Sequence, residues 1–196
     1  MKIKLSNQAD HLHSFIGMLP NTSSKAGVRK QIRYLLNRLS RTEIEECSRD
    51  IRDQLDFPPG SKVAIFAGLP NEPQLLDLIK VRPEVEWHLP KVIGPGKMDF
   101  IRVQGTGELS PGTFGILEPE SGAKARRLDF IVCPGIAFTL EGQRLGQGGG
   151  FYDRAILQFP DAKLLGVGFQ CQMVDRLFVE EHDCLMDQVI RSRMGN

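Results

Sequence analysis

Residues 128–169 read LDFIVCPGIAFTLEGQRLGQGGGFYDRAILQFPDAKLLGVGF. Leu128 to Cys133 is a strongly apolar run of strand length, and Pro134-Gly135 stops it. Gly150 to Phe159 suits a helix, and Leu164 to Phe169 reads as a second strand. Upstream the alternation continues: Val63 to Ala67 reads as a buried strand, Pro73 to Lys80 as a short helix, and Val85 to Leu89 and Phe100 to Val103 as further strands. Strands separated by helices indicate an α/β fold, a three-layer sandwich with a mainly parallel sheet between helices. Ligands of such sheets bind beyond the carboxyl ends of strands, which directs attention to the loops after residues 67, 89 and 133. Strand order is left open by this pattern.

Two helices precede the first strand. Val28, Ile32, Leu35, Leu36 and Leu39 recur at helical spacing. Ser40 and Glu43 form a capping box for the next helix, with Leu39 and Ile44 at the positions of a hydrophobic staple. Ile44, Cys47, Ile51 and Leu55 continue its buried stripe until Pro58-Pro59-Gly60. Residues 1–24 follow no period and read as an N-terminal extension to a single α/β domain over 25–196.

A chain of 196 residues is long enough for one substantial core. Its net charge of +1 supplies no global field for nucleic acid or an anionic membrane, so any anion chemistry must be local. The basic stretch Arg29 to Arg41 could suggest a nucleic-acid module, but the near-zero net charge and the lack of an aromatic-basic surface pattern argue against it. No apolar run has bilayer-spanning length, and the N-terminus lacks the uninterrupted apolar stretch of a secretory signal. Cys47, Cys133, Cys171 and Cys184 are widely spaced, which favours reduced thiols in a cytoplasmic protein.

Chemistry concentrates in Arg144 to Arg154. Gly146, Gly148, Gly149 and Gly150 let backbone N–H groups approach a ligand, and the following helix adds its unpaired N-terminal donors. A phosphate suits such a place. Arg144 can pair with phosphate oxygens through its planar fork, and Asp153 can hold Mg²⁺. The competing reading is a tight turn with Asp153 as a first-turn helix charge. A Walker A loop is excluded because Gly96-Lys97 is followed by Met98, and a Rossmann fingerprint belongs after a first strand rather than late in the chain.

The order Val132-Cys133-Pro134-Gly135-Ile136-Ala137-Phe138, Gly142, then Arg144-Leu145-Gly146 through Tyr152-Asp153-Arg154 resembles the signature of 5-formyltetrahydrofolate cyclo-ligases. In that family a strand ends in P-G-x-A-F and is followed by G-x-R-L-G-x-G-x-G-[YF]-Y-D. The resemblance covers roughly residues 25 to 190 and implies a Rossmann-like three-layer fold. Departures are specific: Gln147 stands where a basic or aromatic residue is common, Thr139 replaces the usual aspartate, and Ile190 to Arg193 differs from the commoner tail.

What the resemblance implies can be stated residue by residue. Lys25 and Arg29, four apart on the first helix, bind ATP phosphates together with Arg144, Gly146, Gln147, Gly148, Gly149, Gly150 and Tyr152. Without the resemblance, Lys25 and Arg29 read as a solvated basic face. Ala67, Glu72, Phe114 and Phe151 line the folate site, and Gln170 and Gln172, after the last strong strand, are expected to face it. Arg144, Tyr152 and Asp153 are the catalytic group, with Mg²⁺ on Asp153 and Asp183. The implied reaction takes ATP and 5-formyltetrahydrofolate to 5,10-methenyltetrahydrofolate, ADP and phosphate through a phosphorylated imidate. Its partners are small molecules without nucleic acid or membrane, and a monomer is expected. The alternative is a paralogue that keeps the nucleotide or folate pocket without turnover.

Overall fold

The computed structural model describes residues 24–178, 180 and 184–193, and the backbone alone of Phe114. All but the last residue of the expected extension therefore falls outside the described residues. Helix α1 (Lys25–Leu36) starts where the Ser24 hydroxyl accepts the Gly27 N–H at 3.2 Å, and it buries Val28, Ile32, Leu35 and Leu36. Helix α2 (Arg41–Gln54) carries both halves of the capping box: Glu43 N–H donates to Ser40 Oγ at 3.2 Å, and Ser40 N–H donates to Glu43 Oε2 at 2.8 Å. Each reciprocal bond satisfies a donor that a helix start leaves orphaned.

The main sheet has six strands in the order β10-β9-β6-β1-β2-β3. These are β1 (Lys62–Ala64), β2 (Glu86–Gly94), β3 (Lys97–Val103), β6 (Phe130–Cys133), β9 (Lys163–Gly168) and β10 (Gln188–Arg191). Every neighbouring pair is parallel except the β2–β3 hairpin. Alternation along β6 divides the core: Val132 joins the cluster under α1 and α2, whereas Ile131 and Cys133 face Ala155, Ile156 and Phe159. Helices α3 (Asp77–Val81) and α4 (Phe151–Ile156) cover opposite faces, which gives the three layers expected. Two short ribbons, β4 (Leu109–Pro111) with β5 (Leu117–Pro119) and β7 (Ala137–Phe138) with β8 (Arg144–Leu145), complete the strands.

Several elements differ from expectation, among them β1, which ends at Ala64 rather than Ala67, and β3, which begins at Lys97 rather than Phe100. Helix α3 begins at Asp77 rather than Pro73, because the Gln74 amide donates to the carbonyls of Leu69 and Glu72 and holds that stretch in a turn. Helix α4 ends at Ile156, three residues early. Gln158 and Phe159 turn back onto Ala155 and Ile156 before Pro160, whose ring disfavours helix in the residue before it. Strand β2 runs past Leu89 through Pro90. There its inner neighbour has ended at the Ala64–His88 pairing, so the missing proline N–H costs no ladder bond on that side. No helix among the described residues is long and apolar enough to cross a membrane.

Candidate functional site

From β1 the chain moves to β2 on one side, and it later returns to β6 on the other, so the crevice beyond the carboxyl ends of β1 and β6 is a topological switch point. A cleft of about 470 Å³ opens there. Phe66, Ala67, Leu69 and Glu72 line it from the β1 side, and Pro134 and Gly135 from the β6 side. The glycine loop forms one wall, while Pro90 and Val92 of β2, Met98 of β3, and Ile116 and Glu118 beside and on β5 form the other. The expected loop after residue 89 is thus continuous strand, and it contributes as a wall.

Glu72, 8% exposed, is one of two buried carboxylates that line this cleft, the other being Glu118. Its Oε2 accepts the Leu69 N–H at 3.0 Å, and its Oε1 accepts from the Gln147 amide at 3.3 Å. Burial pushes its pKa above the ordinary carboxylate range, and these two donors oppose the shift. Gln147 has a second partner: its Oε1 accepts from Arg33 Nη2 of α1 at 2.7 Å. One amide therefore joins the first helix, the glycine loop and the loop after β1.

Across the loop, Arg144 and Asp153 pair through Nη2 and Oδ1. The Arg144 side chain is almost wholly buried, and its Nη1 donates to the Pro134 carbonyl at 3.0 Å. Two of its donor groups thus hold the loop against the end of β6. Its Nε is buried without a hydrogen-bond partner among the described residues, and so is the hydroxyl of Tyr152. The guanidinium sits 5.8 Å from the centre of the Tyr152 ring. Burial pushes Tyr152 well above the usual tyrosine range, so its hydroxyl keeps its proton and remains a donor. Unpartnered buried donors lining a cleft are sites for a polar ligand or water.

The backbone of the loop reverses twice, at Gly148 (φ +106) and Gly150 (φ +63). Arg154 holds it from one side through the Gly149 and Gly96 carbonyls at 2.5 and 2.7 Å. Arg29 holds it from the other through the Gly146 carbonyl at 2.9 Å. Lys25 pairs with Glu180 at 3.0 Å. The basic stripe of α1 therefore reaches the loop and the C-terminal segment, and in this structure Lys25 and Arg29 are engaged by protein groups.

The cleft brings together Ala67, Glu72, Arg144, Gly146, Gln147, Gly149, Gly150, Phe151, Tyr152 and Asp153. Gly148 lies behind it, facing the Arg29 guanidinium. The side chain of Phe114 and all of Asp183 lie outside the described residues. Gln172 is corrected: it is fully buried, with its amide donating to the Gly135 and Ile136 carbonyls and accepting the Phe169 N–H, so it braces the cleft floor. Gln170 is likewise absent from the cleft lining. Sequence reasoning missed Glu118, 9% exposed, which accepts from Thr113 N–H at 3.0 Å and Val92 N–H at 3.3 Å and fastens the β4–β5 ribbon to β2. A glutamate between apolar residues and a proline was the available signal. It also missed Arg33, which lies one turn beyond Arg29 on the same helix face.

Sequence and fold place the chain among known proteins. The model of the 5-formyltetrahydrofolate cyclo-ligase family matches residues 21–192. The chain is 33% identical over 150 residues to the 5-formyltetrahydrofolate cyclo-ligase of Escherichia coli K12, covering 69% of this chain and 82% of the relative. The NMR structure of Aquifex aeolicus 5,10-methenyltetrahydrofolate synthetase superposes with a TM-score of 0.73 at 32% identity, over 86% of this chain and 90% of the other. A 5,10-methenyltetrahydrofolate synthetase from Mycoplasma pneumoniae, 24% identical, shares the fold with a TM-score of 0.66 over 85% and 98% of the two chains. With the family model matched over residues 21–192 and the fold shared with a solved relative at 32% identity, this chain belongs to the 5-formyltetrahydrofolate cyclo-ligase family.

Proposed function

We propose that the chain converts 5-formyltetrahydrofolate to 5,10-methenyltetrahydrofolate while ATP becomes ADP and phosphate, as a monomeric cytoplasmic enzyme. The observation that carries this reading is the convergence of the glycine loop and Glu72 on one cleft at the sheet's switch point, joined by Gln147. The formyl oxygen takes the γ-phosphoryl group, giving a phosphorylated imidate. The folate nitrogen at position 10 then attacks the formyl carbon, loses its proton, and phosphate departs with the former formyl oxygen. Both reacting groups belong to one bound molecule, so proximity does much of the work and no covalent enzyme intermediate is needed.

In this reading Lys25, Arg29, Arg144 and the backbone of Gly146 to Gly150 receive the phosphates. Tyr152, a protonated and unpartnered donor, orients a phosphate or formyl oxygen. Ala67, Glu72, Phe114 and Phe151 contact the folate. Among the described residues no group of three His, Cys, Asp or Glu side chains can hold a metal. Asp153 and Asp183 are the proposed protein ligands of Mg²⁺, which suits one or two carboxylates completed by phosphate oxygens and water. Bound there, it would neutralise charge on the transferring phosphoryl group.

Absorbance of methenyltetrahydrofolate formed from 5-formyltetrahydrofolate with Mg-ATP tests the proposal directly. Product that depends on both ATP and metal is expected. A folded protein that binds either ligand without forming product is instead a binding paralogue.

A further inference from the structure

Arg33 belongs to no reacting group, yet it ends a chain of contacts that leads into the cleft. A guanidinium only donates hydrogen bonds, so the Gln147 oxygen must face Arg33, at 2.7 Å from Nη2. The amide NH₂ is thereby turned toward Glu72, whose Oε1 lies 3.3 Å away. Without that anchor an amide can flip, and its oxygen would then confront the carboxylate. One turn earlier, Arg29 fixes the backbone of the preceding loop residue at the Gly146 carbonyl. Helix α1 thus grips two consecutive loop residues, one through backbone and one through side chain.

We infer that Arg33 is a positioning residue that orients the Gln147 amide and, through it, holds the Glu72 carboxylate in the cleft. The inference rests on the reading above that Glu72 faces the folate. The geometry has a chemical purpose. Glu72 is buried, and a carboxylate there keeps a single orientation only if both oxygens have donors. Leu69 N–H supplies one donor and Gln147 the other. The Leu69 bond is local and survives any loop movement that carries Gln147 away. The Gln147 bond is the adjustable one, and Arg33 sets it from outside the cleft.

The test compares Arg33→Met, Gln147→Met, the double variant and Arg33→Lys with the unmodified chain, each shown to be folded by its circular dichroism and melting. Each single Met variant is expected to lower kcat by about tenfold, the scale of one hydrogen bond to a charged group, without raising the KM for ATP. The double variant is expected to be no worse than Gln147→Met alone, and Arg33→Lys to recover part of the loss. A raised KM for ATP in Arg33→Met would make Arg33 a phosphate contact and overturn the inference, as would additive losses in the double variant. A readout independent of turnover is the ¹³C resonance of the Glu72 carboxyl. Its titration midpoint is expected to move up in Gln147→Met and in Arg33→Met. If the unmodified chain has no cyclo-ligase activity, this titration still decides the contact chain: an unmoved midpoint in Arg33→Met overturns it, and a moved one upholds the positioning role.

Discussion

Arg144 reaches across the glycine loop to donate a charge-assisted hydrogen bond to Asp153, so one ion pair closes the segment that holds the loop's four glycines. The Arg144 side chain is 3% exposed and that of Asp153 23%, which makes each the other's main compensation for burial. Breaking a buried pair by removing one member costs about 3–5 kcal/mol because the other charge is left uncompensated. Arg144→Met is therefore expected to lose turnover and to unfold at lower denaturant than the unmodified chain. Asp153→Asn keeps an acceptor for Arg144 and removes the charge. It is expected to lose turnover with a smaller stability cost than Asp153→Ala, and denaturant titration of the three variants orders them.

Glu72 titrates in the opposite sense to a salt-bridged carboxylate. Its folded pKa lies above the ordinary value of 4.5 because burial disfavours the charge. Between 4.5 and the raised value the folded state holds more protons than the unfolded state, so its contribution to stability falls as pH rises through that window. Relative to Glu72→Gln, the unmodified chain is expected to lose stability as pH climbs from about 4.5 toward neutrality. Subtracting the two pH profiles removes any constant offset from the substitution, and a flat difference contradicts the assignment.

His88 on β2 shows the complementary case. Burial lowers its pKa below 6.5, and the attraction of Glu86, with Nε2 and Oε1 at 3.6 Å, does not offset it. The unfolded state then binds more protons between the lowered value and 6.5. The stability this neutral imidazole contributes is present above about 6.5 and is lost as pH falls through the folded value. Compared with His88→Gln, the unmodified chain is expected to weaken on acidification, as read by denaturant midpoints across that range.

Gly142 joins the signature for a steric reason. It has φ +94, and a Cβ there would sit 2.2 Å from the Met186 carbonyl oxygen, while its own carbonyl accepts the Met186 N–H at 2.8 Å. Gly142→Ala is expected to destabilise the protein by about 2 kcal/mol or more, combining left-handed strain with displacement of backbone. Gly148→Ala meets nothing closer than 3.7 Å, at Arg29, and carries only the strain of φ +106. Its melting temperature is expected to fall less than that of Gly142→Ala.

Much of this architecture was legible in residue order. Periodicity located α1, α2 and the central strands because a buried face repeats at fixed spacing whatever it packs against. The capping box at Ser40 and Glu43 was legible because its partners are three residues apart. The glycine loop stood out because Gly148 and Gly150 must adopt conformations that other residues resist. Strand order, the β7–β8 ribbon and β10 were not legible, since each depends on which distant segment supplies the backbone partner.

The same division runs through the site. Sequence by itself determined which polar groups are available near the strand ends and that glycines leave room beside them. Only the tertiary structure decided where those groups point. Arg144 turned to Asp153 and the Pro134 carbonyl, Gln172 turned into the floor, and Arg33 took the side chain of Gln147. The contacts that orient the cleft join residues 117, 114 and 75 positions apart: Arg29 with Gly146, Arg33 with Gln147, and Gln147 with Glu72. A side chain with several donors takes its direction from whichever buried acceptor folding delivers, and over such separations the sheet topology makes that delivery.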